Sequence, residues 1–479
     1  MADRVFCIDF GSAYTKVALR RDPTADSTLL ACRPAGVGEV EFCVPSTVVV
    51  DRRGAKPVPE FGDRAAGMLA GGGVDVHTNW KKAIFLAPGA RPHQSPLEAL
   101  LQSPELAELA AKYGVAAGQI GYLNQLVAAA RTLVSGPGGR MISAEAQQQT
   151  LAATIAAHFF HWLRQQVLEA CNKLPATGLK YDSIPVRISV PAFAAPTGGG
   201  DPHPGCKLLT DALGKAGWPL HPDTAVVSEP YANAVGVLTK ATNAAQKGHI
   251  RLGEMFGKGP LITVMKSTAD HPVYRALVID VGAFTTDFAA VTITPADGND
   301  ADPDARVGVS QQSIPLGVSD LDERLVAALP KEKGEFLRKA SPVDWEDLRP
   351  AVYSTGKGYR TAKVGIIGGP ADGDAVLGCV ESVVNQLTAE ASKFVASLPA
   401  VPHGALQELI LTGGGCSIPA FRDALQGATV GAGLTFVKTH APDLKKTVGG
   451  PPVGKLDVAF ARGGSALGGA SLYFEPEYA

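Results

Sequence analysis

Residues 274–291 have the sequence YRALVIDVGAFTTDFAAV, which predicts a strand, a tight turn and a second strand. The apolar run from Ala276 to Ile279 predicts a short buried strand that ends at an acid, Asp280. Gly282 permits a turn that a larger side chain would obstruct, and Thr285 to Asp287 place oxygens beside it. The hairpin is therefore expected to bring hydroxyls, free amides and a carboxylate to one place.

The amino terminus repeats this pattern. Apolar residues lead to Asp9, then to Gly11, and a second strand is predicted from Thr15 to Leu19. Aligning Asp9 with Asp280 places Gly11 on Gly282 and Thr15 on Thr286. One such hairpin in each half indicates a duplicated fold, in which an acidic turn from each half faces a shared cleft.

A third turn, rich in glycine, follows the strand predicted at Leu409 to Thr412. Two opposed carboxylates, Asp9 and Asp280, repel each other unless a cation lies between them, which favours Mg²⁺ together with phosphate oxygens. Backbone amides of the turns can point at those phosphates. Either hairpin alone could be an ordinary turn with a surface Asp, but the three turns together favour a nucleotide site. Their residues are Gly11, Ser12, Ala13, Tyr14, Gly282, Ala283, Thr285, Gly413, Gly414 and Gly415.

Composition limits the class of protein. The chain has 479 residues, 46% of them hydrophobic and 19% charged, enough for two large lobes with substantial cores. A net charge of −2 gives no reason to expect binding to nucleic acid or to an acidic membrane. The 7 cysteines are scattered without a CxxC pair, which favours a reducing cytoplasm over a disulfide framework or a zinc site. No apolar run reaches the roughly 18 residues of a membrane span.

Several segments resemble the actin-like ATPase superfamily, and most closely the nucleotide-binding domain of DnaK-type heat-shock chaperones. They are IDFGSAYTKVAL from Ile8, FGDRAA from Phe61, NWKKAIF from Asn79, ISVPAF from Ile188, SEPYANAVG from Ser228, VIDVGAFTTDF from Val278, PLGVSDLDERL from Pro315 and LILTGGGCSIPAF from Leu409. They occur in the family's order. The resemblance implies an α/β, ribonuclease H-like fold of two duplicated lobes, residues 1–238 and 239–479, with the nucleotide between them and an insertion at 88–140.

The same resemblance implies roles for individual residues. Asp9 and Asp280 would hold Mg²⁺ through water, and Ser12 and Thr285 would contact phosphate. Lys81 would place positive charge at the terminal phosphate, with a solvated helix face as the alternative. Glu229 would orient the attacking water, with helix capping as the alternative. Adenosine would lie near Gly413 to Gly415, Ser417, Lys357 and Asp457.

The sequence also departs from the family. Ala283 and Phe284 follow Gly282 where the family has glycines, and a positive φ at Phe284 would cost about 1–3 kcal/mol. This departure weakens the case for efficient hydrolysis more than the case for nucleotide binding. Ser417 stands where the chaperones carry an Arg that stacks on adenine. Tyr353 and Tyr359 are alternative adenosine contacts.

The function that follows is Mg²⁺-dependent binding of ATP and ADP with slow hydrolysis, in a DnaK-like switch that a partner protein reads. The family's peptide-binding β domain is expected to be absent from this chain. One alternative is a self-assembling, actin-like filament protein. Another is a nucleotide-sensing interaction module with little hydrolysis. A sugar or acetate kinase is less expected, because no further polar cluster suggests an acceptor site.

Overall fold

The computed structural model describes residues 4–21, 27–33, 41–54, 58–68, 73–78, 80–85, 144–174, 178–195, 203–238, 273–294, 306–339, 349, 352–353, 363–364, 367–368, 370–401, 405–432, 434, 438–440 and 461–471. The predicted insertion at 88–140 lies outside these ranges. The described residues form a mixed α/β structure with several sheets.

Secondary structure in these ranges comprises the following elements. The strands are β1 (Val5–Phe10), β2 (Tyr14–Arg20), β3 (Thr28–Leu29), β4 (Val44–Pro45), β5 (Val48–Asp51), β6 (Val58–Phe61), β7 (Val74–His77), β8 (Val186–Val190), β9 (Val226–Ser228), β10 (Tyr274–Val281), β11 (Thr286–Thr294), β12 (Arg306–Ile314), β13 (Lys363–Val364), β14 (Ile367–Gly368), β15 (Leu406–Thr412) and β16 (Lys438–His440). The helices are α1 (Gly62–Met68), α2 (Trp80–Phe85), α3 (Ala144–Asn172), α4 (Pro204–Lys215), α5 (Glu229–Leu238), α6 (Val318–Ala328), α7 (Lys331–Lys339), α8 (Pro370–Ser397), α9 (Pro419–Gly431) and α10 (Gly464–Ala470).

Two sheets share one strand pattern. The first sheet has the order β3-β2-β1-β8-β9, with β4 beside β2, and the second has the order β12-β11-β10-β15-β16. In each sheet a central strand, β1 or β10, pairs antiparallel with the next strand of its hairpin and parallel with a later strand. Both predicted hairpins are therefore confirmed, and the first strand of each has an aspartate near its end.

Each sheet buries one face under its own helices. On the first sheet, Phe6, Ile8 and Phe10 pack with Phe159 and Phe160 of α3. On the second sheet, apolar residues of β10 and β11 pack with α6, α8 and α9. The central strands are buried on both faces, which explains their nearly continuous apolar sequence.

A third apolar cluster lies between the two sheets and contains α5 and α10. Helix α10 packs against β1, β2 and β8 of the first sheet, whereas α5 packs against β10, β11 and β12 of the second. The helices touch through their backbones, since a Cβ at Gly236 would overlap Gly464 and a Cβ at Gly468 would overlap the Ala232 carbonyl. Each half thus contributes a helix that covers the other half's sheet.

Residues 44–51 form two strands, β4 and β5, with a break at Ser46 and Thr47. The interruption has a local cause, because the Ser46 hydroxyl donates to the Gly11 carbonyl at 2.7 Å and its backbone NH donates to the Ala13 carbonyl at 2.9 Å. Strand β5 then leaves for a separate sheet of order β6-β5-β7. The break anchors the first hairpin's turn.

Candidate nucleotide site

The first hairpin carries its own counter-charge. Asp9 at the end of β1 lies directly across from Lys16 on β2, and the Lys16 ammonium donates to Asp9 Oδ2 at 2.8 Å. The Ser189 hydroxyl donates to Asp9 Oδ1 at 3.3 Å. Burial works to lower the pKa of Lys16, but Asp9 more than offsets this, and the pKa is raised. The carboxylate predicted to bind metal is therefore already held by a lysine.

The first turn is tight and carries a hydroxyl without a partner. A Cβ at Gly11 would overlap the Tyr14 carbonyl, so this position requires glycine because of close approach. Ser12 Oγ is buried and has no hydrogen-bond partner among the described residues. The Tyr14 ring lies under the Arg462 guanidinium, 5.2 Å from its centroid. The Ser12 hydroxyl thus has a hydrogen to donate that no described residue accepts.

The second hairpin has two carboxylates where the first has a carboxylate and an ammonium. Asp280 at the end of β10 lies across from Asp287 on β11. Asp280 Oδ2 accepts from Asn233 Nδ2 at 3.0 Å. Asp287 accepts from the Thr285 hydroxyl at 3.1 Å, and also from the Ser313 hydroxyl. Only neutral groups hydrogen-bond to these two acids in the part of the chain that the structure describes.

The second turn is anchored to helix α6. The carbonyls of Gly282 and Ala283 accept from the backbone NH groups of Val318 and Ser319, at 3.0 and 2.8 Å. Gly282 does not have a positive φ, but a Cβ there would lie 3.0 Å from the Thr285 carbonyl oxygen. Phe284 is buried and belongs to the apolar cluster of the first sheet, although it comes from the second hairpin.

Lys81 and Glu229 form a buried ion pair. Lys81 comes from α2 and Glu229 is the first residue of α5, and each is at most 5% exposed. Burial raises the pKa of Glu229 to about 7; Lys81 opposes this shift, while the charges of Asp287 and Asp9 add to it. The structure therefore brings these two predicted residues together, and neither Lys81 nor Glu229 lies on a solvated face.

An acid of the first hairpin influences the pKa of an acid in the second. Burial raises the pKa of Asp280 to about 7, and the charge of Asp9 adds to the shift. Burial likewise raises the pKa of Asp287 to about 7, and Asp280 contributes next. We call Asp9, Asp280, Asp287, Glu229, Lys16 and Lys81 the buried charge cluster; five of these residues are buried, and Asp280 is partly exposed. Its carboxylates outnumber its ammonium groups by two, counting only these six residues.

Asp287 is the residue whose importance the sequence analysis missed. The pattern around Gly282 predicts an oxygen near the turn at Asp287, but not a second buried acid of the site. The signal lies in the register: when Asp9 is aligned with Asp280, Lys16 falls on Asp287. Comparing the two cross-strand pairs would have revealed the change from an ion pair to two acids.

The glycine turn packs directly on Asp280. Gly413 has a φ of +84°, and a Cβ there would overlap Asp280 Oδ1. The Ser417 hydroxyl donates to the Gly414 carbonyl at 2.6 Å and is buried, so it caps its own turn. Tyr353 is fully buried, and its hydroxyl donates to Asp322 at 2.7 Å, so this ring does not reach a base. Lys357, Tyr359 and Asp457 lie outside the described residues.

Further contacts join the halves beside the cluster. The Ala192 NH donates to Ser313 Oγ at 2.7 Å, and the Ser228 hydroxyl donates to Gln311 Oε1 at 2.6 Å. Lys82 Nζ lies 3.6 Å from Asp320 Oδ1. Through Ser313, one of these contacts reaches Asp287 itself.

Within the described ranges, no three His, Cys, Asp or Glu side chains form a direct metal-binding group. The cluster's acids nevertheless suit Mg²⁺, which takes one or two protein carboxylates and keeps several waters.

Among the helices that the structure describes, none is long and apolar enough to cross a membrane.

Comparison of the sequence with models of known protein families found no match, and comparison with curated proteins found none either. The geometry of the site is therefore the basis for the function proposed next.

Proposed function

We propose that this chain is a two-lobed nucleotide-binding protein that closes on Mg²⁺ and ATP between its two sheets. More specifically, we propose a slow ATPase of the actin-like superfamily that works as a DnaK-like switch read by a partner protein. One observation carries the proposal: matching hairpins from the two halves bring Asp9, Asp280 and Asp287 into one buried charge cluster with Lys81 and Glu229.

The donor set supports a metal and phosphate ligand. Asp280 and Asp287 are the residues that would hold Mg²⁺, because their neighbouring charges leave them in need of a cation. When bound, this ion would neutralise the two acids and polarise phosphate oxygens. Ser12 Oγ would donate to phosphate. Asp9 would act on the ion through its charge rather than by direct contact, since it already forms an ion pair with Lys16.

Lys81 and Glu229 supply the remaining chemistry of phosphoryl transfer. Phosphoryl transfer needs mainly positioning and neutralisation of charge. Lys81 is a buried positive charge that Glu229 holds in place. A carboxyl with a pKa near 7 is suited to accept a proton from water at neutral pH, which is the role proposed for Glu229.

The switch would depend on the contact between helices α5 and α10. Because each helix covers the sheet of the other half, rotation of one half shifts both helices relative to the site. ATP offers a terminal phosphate that ADP lacks, so the two nucleotides would favour different arrangements of the halves. All seven cysteines lie among the described residues, are buried and form no disulfide, which supports a reducing compartment such as the cytoplasm.

Calorimetric titration of ATP and ADP, with and without Mg²⁺, tests the proposal. We expect binding of both nucleotides to strengthen with Mg²⁺, and phosphate release to be slow but above background. Asp280→Ala should abolish the Mg²⁺ effect, whereas Asn385→Ala, an exposed position on α8, should change nothing. Absence of nucleotide binding in the wild-type protein, or an unchanged Mg²⁺ effect in Asp280→Ala, would contradict the proposal.

A nucleotide-sensing module with little hydrolysis is the second candidate, and Phe284 favours it. This ring fills apolar space of the first sheet from a turn where the family has glycines, so the second turn has less freedom to adjust during turnover. Measurable ATP binding with phosphate release at background would select this candidate. If Phe284→Gly then raised phosphate release, the ring would be identified as the cause.

A further inference from the structure

The side chain of Asn233 connects Asp280 to the contact between helices α5 and α10. Asn233 lies on α5 and is 2% exposed. Its Nδ2 donates to Asp280 Oδ2 at 3.0 Å and to Thr412 Oγ1 at 2.8 Å. An amide nitrogen has two hydrogens, so both donors are used. Asn233 therefore ties α5 to the ends of two adjacent strands, β10 and β15.

The other end of the same amide contacts α10. A Cβ at Gly464 would overlap Asn233 Oδ1, so the amide oxygen lies against the first residue of that helix. One turn further along each helix, the backbones touch at Gly236 and Gly468. A sliding of α10 past α5 would therefore displace the Asn233 amide.

Asp280 is held on both sides. Asn233 donates to Oδ2 of Asp280, and Oδ1 of Asp280 lies against Gly413 at the start of the glycine turn. Asn233 of α5, the Thr412 hydroxyl and the backbone of Gly413 thus all contact this carboxylate. Asn233 also contacts the first residue of α10, and the Gly413 NH donates to the Ala461 carbonyl at 2.6 Å, three residues before that helix begins.

We propose that Asn233 is a positioning residue, which sets the orientation of the Asp280 carboxylate according to the relative position of α5 and α10. This inference rests on the proposed function, because it gives Asn233 the role of linking movement of the halves to Mg²⁺ affinity. Asn233 does not itself touch nucleotide or metal in this role.

The first test measures the Mg²⁺ concentration for half-maximal ADP binding. Asn233→Ala removes both donors, and Asn233→Asp keeps the shape of the side chain but replaces the donating amide with a carboxylate. We expect both variants to raise this concentration on the order of 10–100-fold, as for loss of a group that orients a metal ligand. ADP affinity measured in EDTA should be unchanged. Asn385→Ala and Asn385→Asp are the matched controls on an exposed helix face.

A merely structural role would weaken ADP binding with and without Mg²⁺ alike, or would lower stability alone. Wild-type Mg²⁺ dependence in both folded Asn233 variants would overturn the inference.

The second test needs no nucleotide. Thermal unfolding of wild type, Asn233→Ala, Asp280→Ala and the double variant forms a cycle that isolates the interaction of the two side chains. We expect Asn233→Ala to shift the midpoint by a different amount when Asp280 is absent. Equal shifts in both backgrounds would overturn the positioning role. If wild type binds no nucleotide, the proposed function fails, and this cycle alone decides the role of Asn233.

Discussion

The two hairpins have the same backbone but opposite charge arrangements. Both have an aspartate at the same position, both turn at a glycine that allows close approach, and both lie at the centre of a five-strand order. Across from Asp9 lies Lys16, whereas across from Asp280 lies Asp287. The charges of the pair in the first hairpin therefore balance, whereas the two acids of the second hairpin balance only when they bind protons or a cation.

This difference assigns separate tasks to two positions that look equivalent in the sequence. Asp9 lies in an ion pair with Lys16, whereas the charge of Asp280 adds to the raised pKa of Asp287. The second hairpin is therefore the more suitable one for binding Mg²⁺. The first hairpin contributes the Ser12 hydroxyl and the ion pair of Asp9 with Lys16. Each prediction below changes one side of this comparison.

The largest effect is expected from Lys16→Met, which leaves Asp9 buried without its counter-charge. Such a change costs about 3–5 kcal/mol of unfolding free energy. Urea unfolding measures it. The double variant Lys16→Met with Asp9→Asn removes both charges and should lose less. Equal stability of the single and double variants would show that the charge of Lys16 is not needed to balance that of Asp9.

The turns differ as well, and Phe284→Ala tests that difference. The ring is 6% exposed within the apolar cluster of the first sheet, so its removal should cost about 3 kcal/mol. Phe284→Leu should cost less than about 1.5 kcal/mol. The aligned position in the first turn is Ala13, and Ala13→Ser, at a half-buried site, should stay within about 0.5 kcal/mol. A neutral Phe284→Ala in urea unfolding would rule out the packing role.

Mg²⁺ dependence should separate the hairpins next. Asp287→Asn should raise the Mg²⁺ concentration for half-maximal ADP binding by on the order of 10–100-fold. Asp9→Asn should raise it less, because Lys16 already neutralises Asp9. Calorimetry at fixed ADP gives both values. A larger effect of Asp9→Asn than of Asp287→Asn would reverse the assignment of tasks.

The smallest effect is on the pH dependence of stability in the protein free of Mg²⁺ and nucleotide. The pKa values of Asp280, Asp287 and Glu229 are raised to about 7, so the folded protein retains protons that the unfolded chain releases near its ordinary pKa. The resulting stability is fully present below about pH 4 and is lost as the pH rises through about 7.

Asp287→Asn should therefore be more stable than wild type at about pH 8, and this difference should shrink as the pH falls and vanish near pH 4. Thermal unfolding across this range measures the difference, and Asp423→Asn, at an exposed acid, is the control. The prediction fails if Asp287→Asn and wild type have parallel profiles.

Much of the local structure could be predicted from the sequence. Continuous apolar runs, the two glycines at 11 and 282 and the acids that precede them predicted both hairpins. The strand break at Ser46 could not be predicted, because its cause is a hydrogen bond to Gly11, distant in the sequence. Tyr353 illustrates the same limit, since its burial against Asp322 depends on how α6 packs.

The sequence by itself determined where the strands, turns and acids lie, because these depend on neighbours within a few residues. Only the tertiary structure decided which distant charges meet: Lys81 with Glu229, and Asp280 of the second hairpin with Asp9. The physical reason is that a carboxyl's pKa and its need for a cation depend on burial and on all charges nearby. Some of those charges come from distant parts of the chain, as Lys81 and Glu229 do, with a sequence separation of 148.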